Sequence, residues 1–460
     1  MNSEDEAKIK GILARMNRIP VWSLPYTFII IIGVGYFFTF YDIADIGYAM
    51  PAISTQFNIT SASTTLFLAL SVGLIGYAIG SYVIGSIADV FGRYRSMILT
   101  MALTAIGSFG DAISLNVPEL AVARFITGIG LGADLNLVSG YISEFAPPQW
   151  RGRITVYAFI LGIMGQALVP FVALGLVPVF YNGWRYLFAI GGVIAVIALL
   201  LRFELPESPR WLVLKKNNFS KAESVLAMME TTAEKRYGKL PESHPEDVNL
   251  EEYKTKFPTL YLFEGKEGKL YSKRLTILVF AWFFWYIGNY AFLGDAATLL
   301  AAAHIPLAKS ILYLGIGAIG YPVGAILMAL TADKYERKYV IFIDTIVWFV
   351  GLLIFSLKTE PTLLIGSFMA SLALGMYLQV AYTYTAESYP TRARASGFAL
   401  TDGLGHIGGA LGAIILPIIV SLYTFSTGFI FIAITGLIAG IIIAVGGPVT
   451  SRKTLEAISE

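Results

Sequence analysis

RFITGIGLGADLNLVSGYISEFAPPQWRGR, Arg124–Arg153, is the stretch on which the reading turns. About 23 mostly apolar residues, from Pro118 to Tyr141, are enough for a helix to cross a bilayer at 1.5 Å per residue. Within that helix stand Arg124 and Asp134. Ionised groups at membrane depth cost several kcal/mol unless they are paired or face water, so they mark a functional position. Gly128, Gly130 and Gly132 lie between them and allow a neighbouring helix to approach closely. The segment leaves the apolar run through Glu144 and a Pro-Pro turn into the basic cap of Arg151 and Arg153. A charged, glycine-lined spanning helix implies a solute path through the membrane.

Composition agrees. The 460 residues are 56% hydrophobic and 14% charged, with no cysteine, and the mean hydropathy is +0.68. This makes an all-α polytopic membrane protein and excludes a soluble multi-domain one. Without cysteine, disulfides, thiol chemistry and cysteine-ligated metals are excluded. The three histidines, His244, His304 and His406, have no metal-ligand spacing, so neither metal nor cofactor is expected. The net charge of +2 gives no reason to expect nucleic acid. No clustered catalytic set is visible, and an enzyme is not expected. The N-terminus mixes Lys8, Lys10, Arg15 and Arg18 with acids and lacks a cleavage site; it reads as a lead-in to an uncleaved first span.

Apolar segments of spanning length fall at 25–51, 64–89, 95–115, 118–146, 153–181 and 184–203, and again at 274–302, 308–333, 337–357, 361–389, 394–424 and 426–449. The expected organisation is a tail (1–21), a six-helix unit (22–203), a polar linker with short helices (204–273), a second six-helix unit (274–449) and a tail (450–460). With both termini inside, nearly all of the 33 lysines and arginines fall on the inner side. Arg185, Lys309 and Lys358 are the exceptions, Arg124 lies within a span, and Arg202 counts as a flank of the linker. In the linker, Ser220…Glu223 has the spacing of a capping box opening an amphipathic helix.

The two halves repeat. Asp89 and Arg93 follow the second segment as Asp333 and Arg337 follow the eighth. Glu144 with Arg151 and Arg153 follows the fourth as Glu387 with Arg392 and Arg394 follows the tenth. Two motifs at nearly one offset indicate duplicated six-helix units.

Five stretches now carry a resemblance: GSIADVFGRYR (Gly85–Arg95), RFITGIGLGAD (Arg124–Asp134), SEFAPPQWRGR (Ser143–Arg153), PESPRWL (Pro206–Leu212) and AESYPTRARASG (Ala386–Gly397). Together they resemble the signatures of the major facilitator superfamily. The nearest likeness is to the clan of sugar porters, metabolite and aromatic-acid proton symporters, organic-ion carriers and phosphate proton symporters. The resemblance implies two six-helix bundles and alternating access. The motif residues Gly85, Asp89, Gly92, Arg93, Glu144, Arg151, Arg153, Asp333, Arg337, Glu387, Arg392 and Arg394 are expected to latch a gate, or else to set topology alone. None of them should touch substrate.

The resemblance also assigns the intramembrane charges. Asp134 matches a carboxylate that is a proton carrier or substrate contact in relatives, and a buried, hydrogen-bonded structural acid is the alternative. A carboxylate in a low dielectric can load and release a proton near neutral pH. Asp42 matches the acid of a Tyr-Asp pair in the first helix, which faces the helix-four arginine (here Arg124) in the sugar-porter branch; Asp45 and Asp111 also lie within its reach. Asp42, Asp45, Arg124 and Asp134 are the expected proton-coupling set. Substrate contacts are expected from Asp134, Gln166, Trp285, Asn289, Tyr382, Asp402 and His406.

Departures from the family bear on the solute. Asn289 and Leu293 stand where phosphate carriers have an acid and a tyrosine, and His406 where they have lysine, which weakens inorganic phosphate. The sugar porters' Gln-Gln-x-Ser-Gly run is missing, which weakens hexoses. A histidine beside tyrosine, tryptophan and amides suits a small carboxylate or aromatic acid. The expectation is a monomeric secondary transporter in the cell membrane that moves such an anion with protons. A sugar or polyol carrier and a phosphate symporter are the alternatives.

Overall fold

The first residues to order themselves are charged. In the computed structural model, which describes the backbone of residues 3–59, 64–250, 259–263, 265–331, 335–389 and 393–450, the N-terminal tail forms α1 (Ser3–Asn17). The spans of the first half are α2 (Tyr26–Gln56), α3 (Thr64–Phe91), α4 (Arg93–Ile113), α5 (Val117–Phe145), α6 (Pro148–Leu176) and α7 (Gly183–Arg202). The linker supplies α8 (Pro209–Lys216) and α9 (Phe219–Tyr237). The second half comprises α10 (Gly265–Ala302), α11 (Leu307–Ala318) continued by α12 (Gly320–Thr331), α13 (Arg337–Phe355), α14 (Glu360–Glu387), α15 (Arg394–Leu422) and α16 (Phe425–Gly446). Among the described residues, 11 helices are long and apolar enough to cross a membrane. The apolar core of α3, Leu70–Ile84, makes the twelfth.

Local chemistry sets the starts of equivalent helices in equivalent ways. The Asn116 side chain accepts from the Glu119 N–H at 2.9 Å to open α5, with Pro118 in its first turn. At the matching place in the second half, Thr362 Oγ1 accepts from the Thr359 N–H at 3.0 Å to open α14, with Pro361 beside it. Helix α10 begins nine residues before the expected apolar start because its polar first turns extend past the apolar slab.

Glycines bring the helices together. A Cβ on Gly128 or Gly132 of α5 would collide with the Gly73 or Tyr77 carbonyl oxygen of α3. The halves meet along α3 and α15, where Ser71 Oγ donates to Ala410 O at 2.8 Å and Ser81 Oγ to Ala399 O at 3.2 Å. They also meet where Gly47 of α2 lies against the Leu293 carbonyl of α10.

On the linker face, α1 packs on α9 through buried Ile9, Leu13 and Met16. Arg15 bonds Glu223 at 2.8 Å and Glu230 at 2.6 Å, and Arg18 bonds Glu230 at 2.6 Å. Helix α9 buries Ala222, Val225, Leu226, Met229 and Ala233, a helical stripe. Its cap is Asn218, which accepts from the Lys221 N–H, in place of the expected Ser220 box; an Asn one residue ahead of the helix takes that N–H first.

Candidate functional site

Four helices of the first half converge on Arg124. Its Nη1 donates to Asp42 Oδ1 at 3.0 Å, Asp111 Oδ2 at 3.2 Å and Asp45 Oδ1 at 3.4 Å, and its Nη2 donates to the Asp42 carbonyl at 3.1 Å. Ser108 Oγ adds a 3.3 Å bond to Asp42 Oδ2, and the ring of Phe188 on α7 covers the guanidinium at 5.8 Å. The three acids are fully buried. One guanidinium faces three buried carboxyl groups, more acid than it can neutralise.

Asp134 lies elsewhere. Arg202, at the end of α7, grips it with both terminal nitrogens, Nη2 to Oδ2 at 2.9 Å and Nη1 to Oδ1. Thr100 Oγ1 donates to Oδ1 at 2.9 Å, and Arg202 Nη1 also bonds the Met97 carbonyl at 2.9 Å. Both ions are completely buried. Asp134 is in the lining of neither cavity described below, although its neighbour Leu135 lines one. Arg202 is not a free flank of the linker: an arginine closing an apolar run has the local look of a topology signal, while its side chain turns inward to the acid.

At the seam between the halves, Tyr77 of α3 reaches α15. Its hydroxyl donates to Asp402 Oδ2 at 3.1 Å, and its ring stacks on His406 with centroids 3.6 Å apart. Asp402 Oδ1 accepts from the Tyr286 hydroxyl of α10 at 2.7 Å. His406 Nδ1 lies 2.7 Å from the Asp402 carbonyl, which only accepts, so Nδ1 carries hydrogen. Nε2 lies 2.7 Å from the Tyr290 hydroxyl and accepts from it while the ring is neutral. Protonation at Nε2 would reverse that bond.

A small cavity lies between the halves, lined by Gln166, Asn289 and Tyr382 together with Tyr286 and Tyr290 of the His406 cluster. Its free interior of about 20 Å³ has room for a water molecule and not for an organic solute, so a solute can enter only as the halves part. The Gln166 amide, near the Tyr321 hydroxyl, and Oδ1 of Asn289 make no hydrogen bond of good geometry. A second cavity, also of about 20 Å³ and lined by Arg124, Tyr77 and Tyr290, adjoins it and shares Ile43 and Tyr290. Trp285, expected at the solute, lies one layer behind the wall, with its ring stacked on Tyr377 at 3.7 Å.

The motif residues pair within one half. Glu144 meets Arg93 at 3.3 Å and Arg210 at 3.4 Å, and Glu387 meets Arg337 at 3.1 Å. The partners described are the arginines opening α4 and α13 and one from the linker; pairing of Glu144 with Arg151 or Arg153, and of Glu387 with Arg392, lies outside the described side chains. Gly92 takes a φ of +98° at the start of α4, a conformation that favours glycine. There Glu207 Oε1 accepts from the Tyr94 N–H at 3.3 Å. Arg394 opens α15. Gly85, Asp89, Arg151, Arg153, Asp333 and Arg392 lie outside the residues whose side chains are described.

Sequence reading did not single out Tyr77, Arg202 or Asp344. A tyrosine on a glycine-rich helix carries no local mark of a cross-seam contact.

A family model described as "Sugar (and other) transporter" matches residues 27–460. The niacin transporter NiaP of Acinetobacter baylyi is 26% identical, over 97% of this chain and 99% of its own. The 4-hydroxybenzoate transporter PcaK of the same organism is 28% identical, over 90% of this chain and 89% of its own. Among solved structures, the partially occluded inward-open xylose transporter XylE of E. coli superposes with a TM-score of 0.76 at 21% identity, covering 93% of this chain and 99% of that one. That likeness shows the fold.

Proposed function

The chain belongs to the sugar (and other) transporter family of the major facilitator superfamily, and from that premise we infer that it carries a small organic anion across the membrane together with protons. It is a multi-pass membrane transporter, not an enzyme. The observation that carries the finer reading is the His406–Asp402–Tyr77 cluster: titratable groups from both halves, meeting at the seam beside the cavity between them. Such a cluster can change charge as the halves part, which is what coupling a proton to alternating access requires.

Solute contacts are assigned to Gln166, Asn289 and Tyr382, with His406 behind Tyr290 as the group that meets anionic charge. Proton coupling is assigned to Asp42, Asp45 and Arg124, joined by Asp111. Asp134 takes part only if Arg202 withdraws. An aromatic wall suits a ring-bearing carboxylate, the kind of solute named for the niacin and 4-hydroxybenzoate relatives. The face carrying α1, α8 and α9 is assigned to the cytoplasm, because the lysines and arginines concentrate there. The intra-half ion pairs of Glu144 and Glu387 brace each bundle on that face.

The amides of Gln166 and Asn289 would also suit hydroxyl groups, so a sugar or polyol is the second reading. Thermal stabilisation of the purified protein separates the two. Nicotinate or 4-hydroxybenzoate at about 100 times its Kd should add about 2.7 kcal/mol of stability, with xylose and phosphate inert. Stabilisation by xylose alone would replace the anion reading.

A further inference from the structure

The two halves treat one buried carboxylate in opposite ways. The offset relating Arg93 to Arg337 carries Thr100 to Asp344, and the offset relating Glu144 to Glu387 carries Asp134 to Tyr377. In the first half a hydroxyl on α4 (Thr100) faces a carboxylate on α5 (Asp134), and Arg202 supplies the balancing charge. In the second half the carboxylate is on α13 (Asp344) and the hydroxyl on α14 (Tyr377), so the two groups have exchanged helices. The part of α16 that answers Arg202, Ala444 to Gly446, carries no cation.

Asp344 is 1% exposed. Among the described residues neither of its oxygens has a hydrogen-bond partner, and neither does the Tyr377 hydroxyl or Trp285 Nε1. Trp348, one turn on from Asp344, meets the Trp285 ring at 5.1 Å, and Trp285 stacks on Tyr377. Trp282 then links Tyr377 to Tyr382 on the cavity wall, at 5.5 and 5.2 Å.

The groups facing Asp344 are few. From α14 it is Tyr377; α16 contains no acid, base, tyrosine or histidine. On its own helix, Lys338 lies about 9 Å away along the axis, with its Nζ at 3.5 Å from the Gly447 carbonyl. A bare carboxylate in this setting would be an uncompensated buried charge, which costs several kcal/mol.

We propose that Asp344 is a proton-loading carboxyl of the second half, holding its proton while the halves are closed and exchanging it with water when they part and the cavity wall behind Trp282 and Tyr377 is wetted. The O–H bond forms at a carboxylate oxygen with a proton from water and breaks by returning it to water, so no other reactant is needed. The role of that proton in transport rests on the carrier reading above; its presence does not.

The test uses the full chain in lipid vesicles, with Asp344→Asn and Asp344→Thr, the latter installing the residue of the matching site in the first half. Infrared difference spectra at neutral pH should show a protonated-acid carbonyl band in the wild type that both variants lose, while Asp295, also buried without partners, cancels. Both variants should melt within about 2 °C of the wild type, because a neutral group replaces a neutral group. Proton-driven accumulation of 4-hydroxybenzoate should fall about tenfold, with exchange across preloaded vesicles retained. Identical acid bands in wild type and variants would overturn the proposal, as would loss of folded protein in both variants, since that marks an ionised, paired Asp344. If the wild type moves no 4-hydroxybenzoate, the carrier reading fails on that solute while the infrared band still decides the proton.

Discussion

Tyr77 lays its ring on His406 across the seam between the halves, 16° from parallel, while its hydroxyl reaches Asp402. One side chain of the first half thus touches both titratable groups of the second half's cluster, and separation of α3 from α15 must break the stack and the bond together.

Tyr77→Phe keeps the stack and removes the bond, about 1–3 kcal/mol of closed-state stabilisation. The open population should rise about tenfold. The chain has no cysteine, so Leu378→Cys on the cavity wall gives a background-free reporter. Its labelling should be faster in the Tyr77→Phe background, and an unchanged rate would mean the bond does not hold the seam.

The Asp134–Arg202 pair should behave as a buried ion pair. Asp134→Asn or Arg202→Met alone leaves one uncompensated charge and should cost about 3–5 kcal/mol. The double variant should cost about 2 kcal/mol less than the sum of the two single changes. Unfolding of the four proteins in one detergent closes the cycle; strict additivity would show that the two groups act independently.

Around Arg124 the expected effects are asymmetric. Arg124→Leu strands three buried acids and should destabilise by more than about 3 kcal/mol. Asp111→Asn removes one acid of an excess and should change stability by less than about 1 kcal/mol. Equal losses would mean that all three acids are needed as anions.

On the linker face the α1–α9 clamp should be acid-sensitive. Partial burial pushes Glu230 up, but the guanidinium groups of Arg15 and Arg18 outweigh it and hold the carboxyl below its usual 4.5. A lowered folded value means the stabilisation is complete above 4.5 and fades as pH falls through the folded value. It amounts to about 1–2 kcal/mol. Spin labels on α1 and α9 should stay close at neutral pH and separate in acid, and Arg15→Ala should loosen them at any pH.

Much of this was legible along the chain because membrane spans are local features: apolar length and flanking charge fix each one, and the segments at 118–146 and 361–389 fall within two residues of α5 and α14. The convergence of Asp42, Asp45 and Asp111 on Arg124 follows from depth alone, since a buried arginine must find acids at its own level. The partner of Asp134 was not legible. Arg202 closes an apolar run in sequence and becomes a site residue only when α7 packs on α4 and α2 and its side chain reaches Asp134 of α5. Asp344 is visible as an acid in an apolar run, but its lack of a cation emerges only from the packing of α13 against α14 and α16.

Uptake of labelled 4-hydroxybenzoate into proteoliposomes under an imposed inward proton gradient tests the central claim most directly. Accumulation above the external concentration that a protonophore abolishes, with xylose excluded, is the predicted result. Uptake indifferent to the gradient, or accumulation of xylose instead, would contradict proton-coupled carriage of an organic anion.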